Sequence, residues 1–233
     1  MIISKLMGGV KELGISGCFK TIIFNLKYFP FRVAIKFPVL LTGKVKVRNC
    51  KRGLIQFNSS GGIKRGLLVL GKIDREYTYD KPLLLNILGR LVINGSGFHH
   101  IAPGGIVYIG PDAVMEIGDN FSVSHDIKFY IRTALKIGDN NMWSYYNVVM
   151  DNDGHPIFDE EGEIINSNKG IIVGNNVWLG CRCTILKGAN IPDGSIIGTN
   201  SIVRKSLPGT QAIYGGTDLK LLKNNVTWKR ELL

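Results

Sequence analysis

A period of six residues runs through the C-terminal half of this chain. Counting in sixes from Val173 reaches Leu179, Ile185, Ile191, Ile197 and Val203, all aliphatic. Four residues after each of the first five anchors stands a small or β-branched residue: Val177, Cys183, Ala189, Ser195 and Ser201. An α-helix repeats every 3.6 residues and a half-buried strand every two, so neither produces this register. A strict period of six means short strands joined by tight corners, with one residue of each flat side turned inward, which is a β-helix of hexapeptides. Gly174, Gly180 and Gly198 follow their anchors directly, where corners favour a residue without a side chain.

The same register extends upstream. Ile117, Val123 and Phe129 keep it, then a slip of two residues leads to Ile137, Trp143 and Val149. The phrase IGDN occurs at Ile117–Asn120 and again at Ile137–Asn140, and IVGNN echoes it at Ile172–Asn176. Glycine with Asn or Asp is corner chemistry. Val149 and Val173 are 24 residues apart, a multiple of six, but the intervening MDNDGHPIFDEEGEIINSNKG is too polar for a coil. It predicts a loop over 151–170 that leaves the coil, and long loops on rigid scaffolds carry function. Between Gly43 and Ile109 the hexad is blurred, and pieces such as VKV, LIQF and LVING predict early, irregular coils. KIDREYTYDKPLLLN interrupts them and is expected to protrude, with side chains that could touch a sugar. The repeat stops at Pro208, so 43–208 is expected to be the coil. Residues 209–233 are expected to be a tail that caps it, with Trp228 packed.

Charge divides the chain differently. The net charge is +11, and residues 1–52 carry eleven Lys or Arg against a single acid, Glu12. Residues 1–42 are both basic and apolar. CFKTIIFNLKYF predicts a short helix with Phe19, Ile22, Ile23 and Leu26 on one face, ended by Pro30. Cations interleaved with aromatic and branched side chains suit contact with an anionic membrane surface. They equally suit a helix that covers the end of the coil. No nucleic-acid motif accompanies the basic stretch, so nucleic acid is not expected as a partner. The four cysteines, Cys18, Cys50, Cys181 and Cys183, show no metal-ligand spacing. They are expected to be reduced thiols in a cytoplasmic protein, with no metal bound. The N-terminus has no convincing signal peptide and no stretch long and uncharged enough to span a bilayer.

The hexad, the phrase GNNVWLG, the closing IIGTNSIVRKSLP and the His-containing loop MDNDGHPIFDEEG together resemble the hexapeptide-repeat acyltransferases over roughly Gly110 to Trp228. Within them the chain is similar to the sugar O-acetyltransferases of bacterial capsule, exopolysaccharide and O-antigen synthesis. The resemblance implies an all-β, left-handed parallel β-helix, a homotrimer with the coenzyme A groove between subunits, and acetyl-CoA as co-substrate. It implies transfer of acetyl directly to a hydroxyl of a glycan or lipid-linked glycan. His155 matches the catalytic histidine. Imidazole is the side chain whose ordinary pKa lies near neutrality, which suits a general base. Asp151 and Asp153 complete a D-x-D-x-H arrangement, and either could orient the ring or only shape the turn. By the same resemblance Trp178, Gly180 and Cys181 adjoin the thioester and pantetheine. Thr199, Arg204 and Lys205 line the lower groove, where cations suit the phosphates. Ser124 and His125 are candidate acceptor contacts. Asn147 either binds sugar or makes a corner.

Other chemistries keep the fold and change the acceptor: an amino-sugar nucleotide amine, or the hydroxyl of serine. Zinc-dependent CO₂ hydration on such coils needs three converging histidines, and neither His125 nor His155 has a second histidine beside it. An inactive scaffold would be expected to lack His155 or GNNVWLG, and both are present.

Overall fold

Short strands cut off by corners cannot pair with their neighbours in sequence, so their backbones must bond to the turns above and below. The protein does this throughout. Its computed structural model describes residues 2–72 and 79–231, with side chains from Leu13 onward, and forms a left-handed parallel β-helix of three sheets. The first sheet begins with Val39–Leu41 and climbs through Ser122–Val123, Met142–Trp143 and Trp178–Leu179 to Ile213–Gly215. The second runs from Val45–Asn49 to Ile202–Val203, and the third from Ile55–Asn58 to Asn190–Ile191.

The register is the one the hexad predicts. Val123, Trp143, Leu179 and Ile197 stack in the first sheet. Phe129, Val149, Ile185 and Val203 stack in the second, and Ile117, Ile137, Val173 and Ile191 in the third. All twelve are at most 2% exposed, so the anchors form the core. The small residues four places later are buried too, at the corners. There a buried polar side chain bonds the carbonyl three residues back. Ser195 donates to Pro192 (2.7 Å), Ser201 to Gly198 (2.6 Å), Asn141 to Gly138 (2.8 Å) and Asn147 to Ser144 (2.8 Å). Cys183 occupies the same kind of position, and burial pushes its thiol up to about 11, leaving it a protonated, small, inward group.

The repeated IGDN has a physical cause. Asn120, Asn140 and Asn176 adopt left-handed φ values of 54°, 56° and 53°. Their carboxamides form a ladder, Asn120 to Asn140 (2.9 Å) and Asn140 to Asn176 (2.8 Å). Asn tolerates this conformation better than most residues. A Cβ on Gly118 would stand 2.5 Å from the Asp139 carboxylate, so the close stacking of corners requires glycine there.

Two elements close the ends. Helix α1 (Ile2–Tyr28) is kinked at Gly14 (φ 73°), and Pro30 separates it from α2 (Phe31–Ala34). Thr21 and Asn25 lie one turn apart on its buried face. Thr21 Oγ1 receives the Leu41 N–H (2.9 Å), and the Asn25 amide donates to the Val39 carbonyl (2.7 Å). An open strand edge would otherwise expose these groups. Replacing Asn25 by Ala leaves buried backbone groups without partners, and denaturant unfolding is expected to show a loss of about 1–3 kcal/mol. At the far end Lys220–Lys223 pairs antiparallel with Ile213–Gly215. The tail then returns along the Asn ladder. Trp228 donates to Asn176 O (2.7 Å), and Arg230 bonds Ser122 Oγ (2.7 Å) and the carbonyls of Asn120 and Asn141 (both 2.6 Å).

Three expectations about the N-terminal half change. The helix is longer than CFKTIIFNLKYF, and the coil starts at Val39 rather than Gly43. Leu83–Asn86, expected at the end of the protruding segment, belong to a strand of the second sheet (Leu83–Ile87) paired with Val45–Asn49 and Gly105–Ile109. Residues 73–78 of that segment lie outside the described residues.

Candidate active site

The polar loop leaves the coil after Val148–Met150 of the second sheet and rejoins it at Ile171–Val173 of the third, so it projects from the corner between them. Asp151 holds that corner. Its fully buried carboxylate accepts the N–H groups of Arg132 (2.8 Å), Thr133 (2.7 Å) and Ala134 (2.9 Å) from the turn below. It also receives the Asn152 amide (3.0 Å). Asp153 is exposed and bonds Lys187 (2.5 Å) and Asn166 (2.9 Å), which hold its carboxyl below the ordinary range. Asn166 also clamps the His155 carbonyl (2.9 Å). The loop is thus tied at its base, and His155 is exposed at a cavity of about 350 Å³ with Arg132, Ile164 and Asn166 in its wall.

Among the described residues no group hydrogen-bonds the His155 imidazole. Asp151 and Asp153, expected as catalytic partners, are engaged elsewhere in this structure. Asp151 shapes the turn and Asp153 anchors the loop to the coil through Lys187.

Trp178, Gly180, Cys181 and Thr199 lie elsewhere, along the first sheet and its corner with the second. Trp178 is partly exposed and packs against Trp228, ring centroids 6.1 Å apart. A Cβ on Gly180 would meet Thr199 N at 2.7 Å, so the backbone there stays bare. Cys181 Sγ lies 3.5 Å from Thr199 Oγ1. Arg204 and Lys205 are exposed beyond Ile202–Val203, on the corner that carries the His155 loop. The candidate residues therefore fall on two corners of one prism and do not converge within a single chain. A bare backbone strip beside an exposed indole on one corner, and exposed cations on the other, fit a long thioester carrying phosphates.

One coil below Trp178, the same first corner bears a second cavity of about 500 Å³, lined by Ser122, Ser124, His125, Trp143 and Tyr145 among others. His125 is stacked between Tyr79 (4.7 Å, 25°) and Tyr145 (5.1 Å, 4°), with Tyr146 edge-on. Burial lowers its pKa, so the ring is neutral. Its Nδ1–H then donates to Asp126 (3.2 Å), which Tyr79 O–H also bonds. This leaves Nε2 as an acceptor.

Asn147, one of the candidate sugar contacts, is fully buried. Its amide donates to Ser144 O (2.8 Å) and its carbonyl accepts Cys183 N–H (2.7 Å), so it is a corner residue. Tyr79 lies in the segment expected to touch a sugar, but Tyr145 and Tyr146 were missed in the sequence. Tyr145 is detectable as the residue one twenty-residue turn after His125.

No family model matches the chain. The galactoside O-acetyltransferase of Escherichia coli (strain K12) is 35% identical over 105 residues, covering 44% of this chain and 50% of that protein. The chain thus spans half the length of this relative. The proposed lipopolysaccharide biosynthesis O-acetyl transferase WbbJ of the same strain is 29% identical over 195 residues, 79% of this chain and 84% of WbbJ. The polysialic acid O-acetyltransferase OatWY superposes with a TM-score of 0.51 over 84% of this chain and 83% of its own, at 24% identity, a likeness of fold. The chain is therefore similar, in its coil and in its sequence relatives, to hexapeptide-repeat acetyltransferases, with sugar O-acetyltransferases among those relatives.

Proposed function

We propose that the chain is an acetyl-CoA-dependent O-acetyltransferase acting on a sugar hydroxyl of a bacterial surface glycan or its precursor. The observation that carries this is His155: its backbone is clamped by Asn166 while its imidazole stands unengaged at an open cavity. Sugar O-acetyltransferases among the relatives supply the acceptor class. Acetyl-CoA brings the acetyl group as a thioester. His155 takes the proton of the attacking hydroxyl as the new C–O bond forms, then returns it to the sulfur as the C–S bond breaks. No covalent enzyme intermediate is needed. Asp153 and Asp151 act as positioning residues for the loop.

The two-corner arrangement favours a homotrimer. Trp178 follows the return of the His155 loop to the coil within the next side of the prism, so the two differ in height by less than one coil, about 4.8 Å. Parallel copies in a ring bring the loop corner of one against the Trp178 corner of the next at matching height. Arg204 and Lys205 travel with the loop corner, and Cys181, Thr199 and the His125 cavity with the other. Such an interface gathers the thioester, phosphate and acceptor contacts into one groove.

The test is release of free coenzyme A, followed with a thiol reagent, against sugar nucleotides and lipid-linked oligosaccharides. Turnover is expected with a glycan acceptor. Failure of acetyl-CoA to bind by calorimetry, together with no turnover, would overturn the proposal.

A further inference from the structure

Helix α1 is apolar on two faces. Leu13, Gly17, Thr21, Phe24 and Tyr28 pack onto the first coil. Ile15, Phe19, Ile22, Ile23 and Leu26 occupy the opposite face at helical spacing and point away from it, with Phe19 65% and Ile23 63% exposed. Helix α2 and the turn after it extend this surface with Phe31 (71%) and Ile35 (52%). A helix apolar all round is ordinarily buried all round, and contiguous exposed apolar surface marks an interaction site. No described helix is long and apolar enough to cross a membrane, so the surface is not one side of a span.

Charge identifies what covers it. Lys27, Arg32 and Lys36 are exposed around the patch, and Arg52 stands beside it, bonding the Leu26 carbonyl (3.2 Å). The eleven cations of residues 1–52 face only one acid in that stretch. A protein partner with an apolar groove would need no such excess, and an anionic bilayer surface would.

We propose that the outer face of α1 and α2 docks on an anionic lipid bilayer. Its aromatic and branched side chains enter the headgroup boundary, and Lys27, Arg32 and Lys36 meet lipid phosphates. The docking does not rest on the proposed chemistry, because a protein without turnover still floats with vesicles.

Flotation of the full chain tests it, with vesicles of phosphatidylcholine alone and with phosphatidylglycerol added. Binding is expected only to the anionic vesicles and is expected to weaken at high salt. Lys27→Gln with Arg32→Gln is expected to lower the affinity about thirtyfold. Phe19→Ser with Ile23→Ser is expected to lower it at least as much, with an unchanged circular dichroism spectrum, since both side chains are already exposed. Absence of flotation, or variants that float like the wild type, would overturn the proposal. So would light scattering in which Phe19→Ser with Ile23→Ser lowers the oligomeric state without vesicles, which would assign the face to a second copy of the chain.

Discussion

His155→Ala is expected to lower the rate of acetyl transfer by about 10²–10⁴ while leaving stability within experimental error. The rate loss is the usual contribution of a positioned general base. The preserved stability follows from the surroundings: the side chain is exposed, and only the backbone carbonyl of His155 is held, by Asn166. A base acts on the bound acceptor, so the loss should appear in kcat with acetyl-CoA affinity retained by calorimetry. Loss of acetyl-CoA binding in the variant would make His155 a binding residue instead. Lys187→Ala probes the same loop indirectly, because it releases Asp153 without touching the imidazole.

Asp151→Ala is expected to have the larger effect on folding, about 3 kcal/mol or more. Three backbone N–H groups from Arg132, Thr133 and Ala134 end on this one buried carboxylate, and each donor left unsatisfied costs about 1–3 kcal/mol. Asp151→Asn keeps the shape and one acceptor oxygen, so denaturant unfolding should show a smaller loss. The pair of variants separates two roles. If Asp151→Asn folds stably yet loses turnover as completely as His155→Ala, Asp151 assists catalysis directly. If turnover falls only in step with stability, it holds the corner, as its hydrogen bonds indicate.

The upper coils were legible because anchors, corner glycines and corner Asn or Asp residues all report one register. From Ile117 to Val203 every sixth-place anchor is buried where the period puts it, apart from the slip and the loop. The lower coils were harder to read. Their corners are longer, so Leu85 and Ile93 are eight residues apart although both point inward on successive sheets, and a fixed six-residue count misses them. Leu83–Ile87 was lost for that reason. Asn147 was assignable in principle: it stands four places after Trp143, where the register turns a side chain into the corner. What a linear period cannot express is which corner a residue occupies around the prism. His155 and Trp178 are near in sequence and in height, yet they leave different edges. The engagement of Asp153 by Lys187 is similarly a contact between turns, joining residues 34 positions apart.

The stacking of coils also measures distance. Val39–Leu41, the strand seated on α1, is the first rung of the first sheet, and Met142–Trp143, just before the His155 loop departs, is the fifth. Four spacings of about 4.8 Å place the loop roughly 19 Å above that first strand, with the helix beneath it. With the outer face of α1 on a bilayer, the coil becomes a ruler standing on its end. It would select acceptors whose reactive hydroxyl lies a few sugars out from a lipid anchor, and each coil gained or lost below His125 would reset that reach by one rung.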